Sequence, residues 1–234
     1  MNDLIGRALL DFHNGNYSED LITETNISEE DELPLPYLFR GFEDMPPLEQ
    51  VALQHCRGSI LDVGCGAGNH ALWLQEQEHK VTAIDTSEGA IEVCKKRGVN
   101  NAQVCSLLNF SGQRFDTIVL LMNGTGIFET VSRTGVYLSH LKTLLRPNGQ
   151  ILIDSSDLQF MYDRNEDGSI WVPAKAYYGE LEFTMTYKGE TSASFPWLYL
   201  DPRLFERLAE ENGFNFNIVE HGDHYDYLAQ LTVA

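Results

Sequence analysis

One run of seven residues constrains this chain more than any other. Asp62-Val63-Gly64-Cys65-Gly66-Ala67-Gly68 overlaps the end of an apolar run, Ser59-Ile60-Leu61-Asp62-Val63, and leads into a helical pattern over residues 69–77 that carries Ala71, Leu72 and Leu74. Strand, glycine turn and helix in that order make a β-turn-α unit. A ligand can approach its backbone closely, because side chains are absent and the helix start presents free N–H groups. The spacing argues against NAD or FAD. A dinucleotide fingerprint needs G-x-G-x-x-G, whereas here the third glycine comes one residue early and Asn69 occupies its place.

The same alternation continues. Lys80-Val81-Thr82-Ala83-Ile84-Asp85 reads as a second strand, and Ser87 caps a helix that turns Ala90, Ile91 and Cys94 inward and stops at Gly98. Residues 102–105 form a weaker strand and residues 115–122 a strong one. A helix over residues 136–145 is broken by Pro147-Asn148-Gly149, and Ile151-Leu152-Ile153-Asp154 is a fifth strand. This order predicts a parallel, doubly wound α/β sheet that binds its ligand at the carboxyl ends of the strands. Asp201, with Pro202 in the first turn, starts a further helix that ends at Gly213, and residues 214–220 and 225–233 read as an antiparallel strand pair.

Charge narrows the partners. Thirty-five acidic against 16 basic residues give a net charge of −19, which excludes a chain that holds nucleic acid or an anionic membrane through its own field. The longest apolar run, residues 118–122, is too short for a span, so a soluble cytoplasmic protein is expected. Cys56, Cys65, Cys94 and Cys105 show no CxxC pairing and read as reduced thiols, with no metal site. The first 55 residues hold twelve acidic and two basic residues, about half the excess. One reading of Glu29-Glu30-Asp31-Glu32 is a solvated helical arm; the other is a lid, because Leu35, Tyr37, Leu38, Phe39 and Phe42 follow it and need something to dock on.

Taken together, Asp62 to Gly68, Asp85 ending the second strand, Phe115-Asp116 opening the fourth and Leu145-Arg146-Pro147-Asn148-Gly149 before the fifth resemble the class I S-adenosylmethionine-dependent methyltransferases, small-molecule type. The resemblance implies a seven-stranded, mostly parallel Rossmann-like sheet. It also implies four parts: an N-terminal acidic helical arm or lid (1–55), a cofactor-binding core (56–154), a β-rich substrate-side insertion (155–200), and a C-terminal helix and strand pair (201–234). Gly64, Gly66 and Gly68 would let the backbone pass beside the methionine portion of S-adenosylmethionine. Asp85, with Thr86 next to it, would accept hydrogen bonds from both ribose hydroxyls. Asp62 would orient the loop, and Cys65, Asn69 and His70 would line the cofactor channel. Met122, Asn123 and Gly124 would face the sulfonium. The family commonly places an Asp after the third strand to bind adenine, but this chain has Ser106-Leu107-Leu108-Asn109, which leaves that contact to backbone groups beside Leu107, with Ser106 or Asn109 as polar candidates.

The expected reaction is in-line methyl transfer to a small neutral or cationic acceptor, leaving S-adenosylhomocysteine, by a monomer or homodimer. A non-catalytic cofactor-binding regulator and an aminopropyltransferase-type relative are the alternatives. Base candidates are Tyr37, Asp154, Tyr178 and His221, although His221 and His224 also read as solvated turn residues, the ordinary role of such histidines. The insertion holds ten of the 25 aromatics, which form either a substrate wall or the packing of a small β-layer, with residues 180–188 and 192–199 as a hairpin about Gly189. Within it, Asp163-x-Asn165-x-Asp167-Gly168 matches the first half of a calcium loop, but Ala174 stands where a bidentate Glu is required, so a polar turn is expected.

Overall fold

The computed structural model describes residues 3–162, 165, 167 and 176–234. Six α-helices accompany twelve strands among them. In chain order these are α1 (Leu4–His13), β1 (Leu21–Thr25), β2 (Ser28–Leu33), α2 (Pro47–Gln54), β3 (Ser59–Val63), α3 (Asn69–Glu76), β4 (Lys80–Asp85), α4 (Glu88–Arg97) and β5 (Ala102–Val104). There follow β6 (Phe115–Leu120), α5 (Val131–Leu144), β7 (Leu145–Ser156), β8 (Glu180–Tyr187), β9 (Glu190–Thr191), β10 (Phe195–Leu198), α6 (Pro202–Glu211), β11 (Phe214–His221) and β12 (Asp226–Val233).

The expected seven-stranded sheet is present, in the order β11-β12-β7-β6-β3-β4-β5. Strands β3 to β7 run parallel, and β12 and β11 close the sheet antiparallel. Its central strands are apolar on both faces, as a covered sheet requires. Leu61, Ile118 and Ile151 face Leu138, Leu141 and Phe205 of α5 and α6, whereas their neighbours Ile60, Val119 and Leu152 face Leu53, Ala71 and Ile91 of α2, α3 and α4.

A second sheet, β10-β8-β1-β2 with β9 beside β8, corrects the helical-arm reading. The first residues are helical, with Asp3 capping α1, but the following stretch forms a hairpin whose β1 pairs with β8 of the insertion, Ile22 opposite Thr186 and Thr25 opposite Phe183. The acidic run lies on β2 at the sheet edge, where exposed like charges block further strand pairing. Arm and insertion therefore share one layer. Most of the calcium-like run, together with Ala174, lies outside the described residues. No group of three or more His, Cys, Asp or Glu side chains suited to a metal occurs among the described residues, nor does a helix long and apolar enough to cross a membrane.

Trp197 of β10 joins the two sheets. Its indole lies flat against the backbone after β6, so a Cβ on Gly126 would come within 2.0 Å of Trp197 Cε2. Gly126→Ala is expected to lower stability by about 1–3 kcal/mol, the usual cost of overpacking. Urea unfolding followed by tryptophan fluorescence checks this, and an unchanged midpoint would contradict the packing described.

Candidate functional site

The loops that follow β3, β4, β6 and β7 meet at the carboxyl edge of the sheet, and buried carboxylates organise them. In the glycine turn Gly64, Gly66 and Gly68 all have positive φ, at 74°, 52° and 85°. The two flanks differ. A Cβ on Gly68 would lie 2.9 Å from Cys94 Sγ and from Val99, whereas one on Gly66 would meet nothing within 4 Å, so the turn is packed behind and open in front. Asp85 fixes it from the next strand: Gly66 N–H donates to Oδ2 at 3.0 Å and Ser87 N–H to Oδ1 at 2.9 Å. Burial raises the Asp85 carboxyl despite these donors. Thr86 beside it is exposed, and Cys105 N–H donates to Asp85 O, which sets Ser106 and the buried Leu107 at the same edge.

Asp62 is 1% exposed, and its Oδ2 has no hydrogen-bond partner among the described residues. Burial pushes this carboxyl up to about 6, the charge of His70 and an N–H from Ala71 pull it down, and Asp85 pushes it up. An orphaned, buried acceptor calls for a cationic or N–H donor.

His70 belongs to a group that sequence reading missed. Its Nε2 donates to Glu49 Oε2 at 2.8 Å, and Glu49 is also held by Arg40 through a short double contact. All three residues are buried, which a charged group tolerates only when paired. Burial alone would push Glu49 up and His70 down, but each is overruled by the other: the Glu49 carboxyl ends below its ordinary value, helped by Arg40, and the His70 imidazole above, helped by Asp62. Arg40 also donates to Tyr37 O at 2.7 Å and lies 3.9 Å from the Tyr37 ring centroid, so the segment read as a lid is bolted to α2 and α3. Asn69 adds a second bolt. It donates to Leu38 O and accepts from Arg97, whose guanidinium faces the Phe39 ring.

Asp154 near the end of β7 accepts from Asn123 N–H at 3.0 Å and Gly124 N–H at 2.7 Å, which holds Met122 and Asn123 in left-handed conformations after β6. Burial pushes Asp154 up to about 6 against these two donors. The Asn123 amide is spent inward on Leu198 O, while Met122 is 38% exposed. Tyr37 is 37% exposed and feels the charge of Asp154, as does Tyr199, whose phenol burial raises to about 12. Of the four base candidates, then, the fold brings Tyr37 and Asp154 into one electrostatic neighbourhood and adds Tyr199. Tyr178 donates instead to Asp157 Oδ1 at 2.6 Å, and His221 is exposed at the end of β11. Cys65 is buried, its Sγ 3.7 Å from Cys94 Sγ, behind the turn. A concavity of about 650 Å³ lined by Ser59, Lys80 and Arg114 opens at the amino-terminal edge of the strands, remote from this chemistry.

The raised carboxyls give a signed pH dependence. Asp62 and Asp154 bind a proton more tightly folded than unfolded, where they titrate near 4, so folding gains stability as pH falls from about 6 towards 4. His70, also raised, stabilises below its ordinary value and loses that as pH rises through the raised one; Glu49, lowered, acts oppositely as pH falls through its own. The melting temperature is expected to rise between pH 7.5 and 5. Net charge has the same sign, so the comparison with Asp62→Asn carries the test: the variant must flatten the profile, and an unaltered slope would refute the buried charge.

Residues 60–149 match a family model described as a methyltransferase domain. A solved Bacteroides fragilis S-adenosylmethionine-dependent methyltransferase, in complex with S-adenosyl-L-homocysteine, is 43% identical over 99% of this chain and 95% of its own, with a TM-score of 0.92. A 2-heptyl-1-hydroxyquinolin-4(1H)-one methyltransferase of Mycobacteroides abscessus is 37% identical over 26% of this chain and 31% of its own length. A Bacillus subtilis protein described as a putative methyltransferase is 28% identical over 42% of each. The chain thus spans less than half the length of these two curated relatives.

Proposed function

The chain belongs to the S-adenosylmethionine-dependent methyltransferases, and from that premise we propose that it moves the cofactor's methyl group to a small-molecule acceptor at the edge where β3, β4, β6 and β7 end. The carrying observation is the Asp85 carboxylate locked by Gly66 and Ser87 beside an open glycine turn. A carboxylate so placed can hold two ribose hydroxyls. The donor set also fits the amino-acid end: Asp62 Oδ2 is a buried acceptor lacking a donor, and Arg40 Nε a buried donor lacking an acceptor. Bound there, S-adenosylmethionine would supply an electrophilic methyl group on a sulfonium.

What the protein contributes is placement. In-line substitution needs an aligned nucleophile and exclusion of water more than it needs covalent help. Tyr37, Met122 and Tyr199 provide the walls; Glu49 is offset by Arg40 and His70, so the Asp154 carboxyl supplies the negative charge at this end, which favours neutral or cationic acceptors over anions. Asp154 is the group suited to accept a proton from an acceptor, because burial brings its carboxyl close to neutral pH.

Two measurements test the reading. Asp85→Ala is expected to weaken S-adenosylhomocysteine binding at least 100-fold by calorimetry while the fold is kept; an unchanged affinity would sink the cofactor assignment. Transfer of labelled methyl from S-adenosylmethionine into a panel of amines, phenols and thiols is expected for the wild type. Tight cofactor binding with no transfer to any class would favour a regulator.

A further inference from the structure

The start of the chain lies far in sequence from the glycine turn, yet one hydrogen-bonded chain joins them. Asp3 Oδ1 accepts from Gly6 N–H at 3.0 Å and caps α1. Its other oxygen, Oδ2, accepts from Ser87 Oγ–H and from Gly89 N–H, each at 2.9 Å, so one carboxylate closes the first turns of α1 and α4 together. Ser87 then donates its N–H to Asp85 Oδ1, and Asp85 Oδ2 takes Gly66 N–H. The two helices approach so closely that a Cβ on Gly89 would lie 2.5 Å from the Gly6 carbonyl carbon. This contact leaves Asp3 little freedom. A hydroxyl used both as donor to Asp3 and as acceptor from Ala90 N–H is fixed at both ends, which sets the direction of the Ser87 backbone.

We propose that Asp3 is a positioning residue of the cofactor site: by holding Ser87, it keeps Asp85 aimed at the ribose and couples docking of the amino-terminal segment to cofactor affinity. The inference rests on Asp85 being the ribose ligand. It differs from a lid over the acceptor, because its effect falls on the cofactor.

Calorimetry with S-adenosylhomocysteine on the full chain tests it. Wild-type binding comes first, and its absence would refute the cofactor assignment itself. Given that binding, Asp3→Ala and Ser87→Ala are each expected to weaken it about five- to tenfold, as for loss of an indirect polar contact. The double variant should be no weaker than the poorer single one, because both cut the same chain. Asp3→Asn keeps one acceptor oxygen and nearly the same shape, so it should recover part of the loss and serves if Asp3→Ala fails to fold. Asp11→Ala removes the contacts from α1 to Tyr187 and Lys188 elsewhere on the arm and should leave affinity unchanged. Additive losses, or a lower melting temperature in Asp3→Ala with wild-type affinity, would overturn the proposal and reduce Asp3 to a helix cap.

Discussion

Carboxylates buried at the carboxyl edge of a parallel sheet set the terms for everything else in this molecule. Asp62, Asp85 and Asp154 sit at or near the ends of β3, β4 and β7, and burial raises all three above their ordinary range. Such groups persist only where donors reach them. Gly66, Ser87, Asn123 and Gly124 supply backbone N–H groups, and this demand explains why the loops after β3 and β6 adopt left-handed backbone. Asp62 retains an oxygen that none of the described residues satisfies. An unpartnered buried carboxyl oxygen of this kind accords with the proposed placement of a cofactor that carries a sulfonium and an ammonium.

The second sheet gives that edge its cover. Strand β1, from the amino-terminal segment, and strands β8 and β10, from the insertion, are separated widely in the chain but lie side by side. Residues 37–40 cross from this layer to the core. Arg40 reaches Glu49, which His70 also holds, while Leu38 and Phe39 meet Asn69 and Arg97, so residues 37–40 are tied to α2, α3 and α4. Chemistry and cover are mechanically continuous.

Much of this was legible in the residues. The Asp62 to Gly68 turn, Asp85, the Ser87 and Asp201 caps and the succession of strands and helices along the chain follow local rules of periodicity, capping and glycine placement, and the structure realises each of them. What stayed hidden depends on partners remote in sequence. Residues 21–33 are polar and heavily charged, with little strand signal of their own, and become β1 and β2 because β8 offers an edge to pair with. Arg40 and Glu49 look like two more charges of an acidic arm until α2 and α3 bring them to His70. Tyr199 reads as one aromatic among many, and nothing local separates it from Tyr178, which the fold turns to Asp157.

The central claim is that Asp62 and Asp154, raised by burial to about 6, give up the protons they carry near that pH when a cation is bound beside them. Calorimetric titration at pH 6, in buffers of different ionisation enthalpy, measures it directly. Asp62 and Asp154 are then partly protonated, so S-adenosylmethionine, with its charged sulfur, should release protons to the buffer, and S-adenosylhomocysteine, with a neutral sulfur, should release fewer. Binding enthalpies that do not depend on the buffer, or equal proton release for both ligands, would contradict the account.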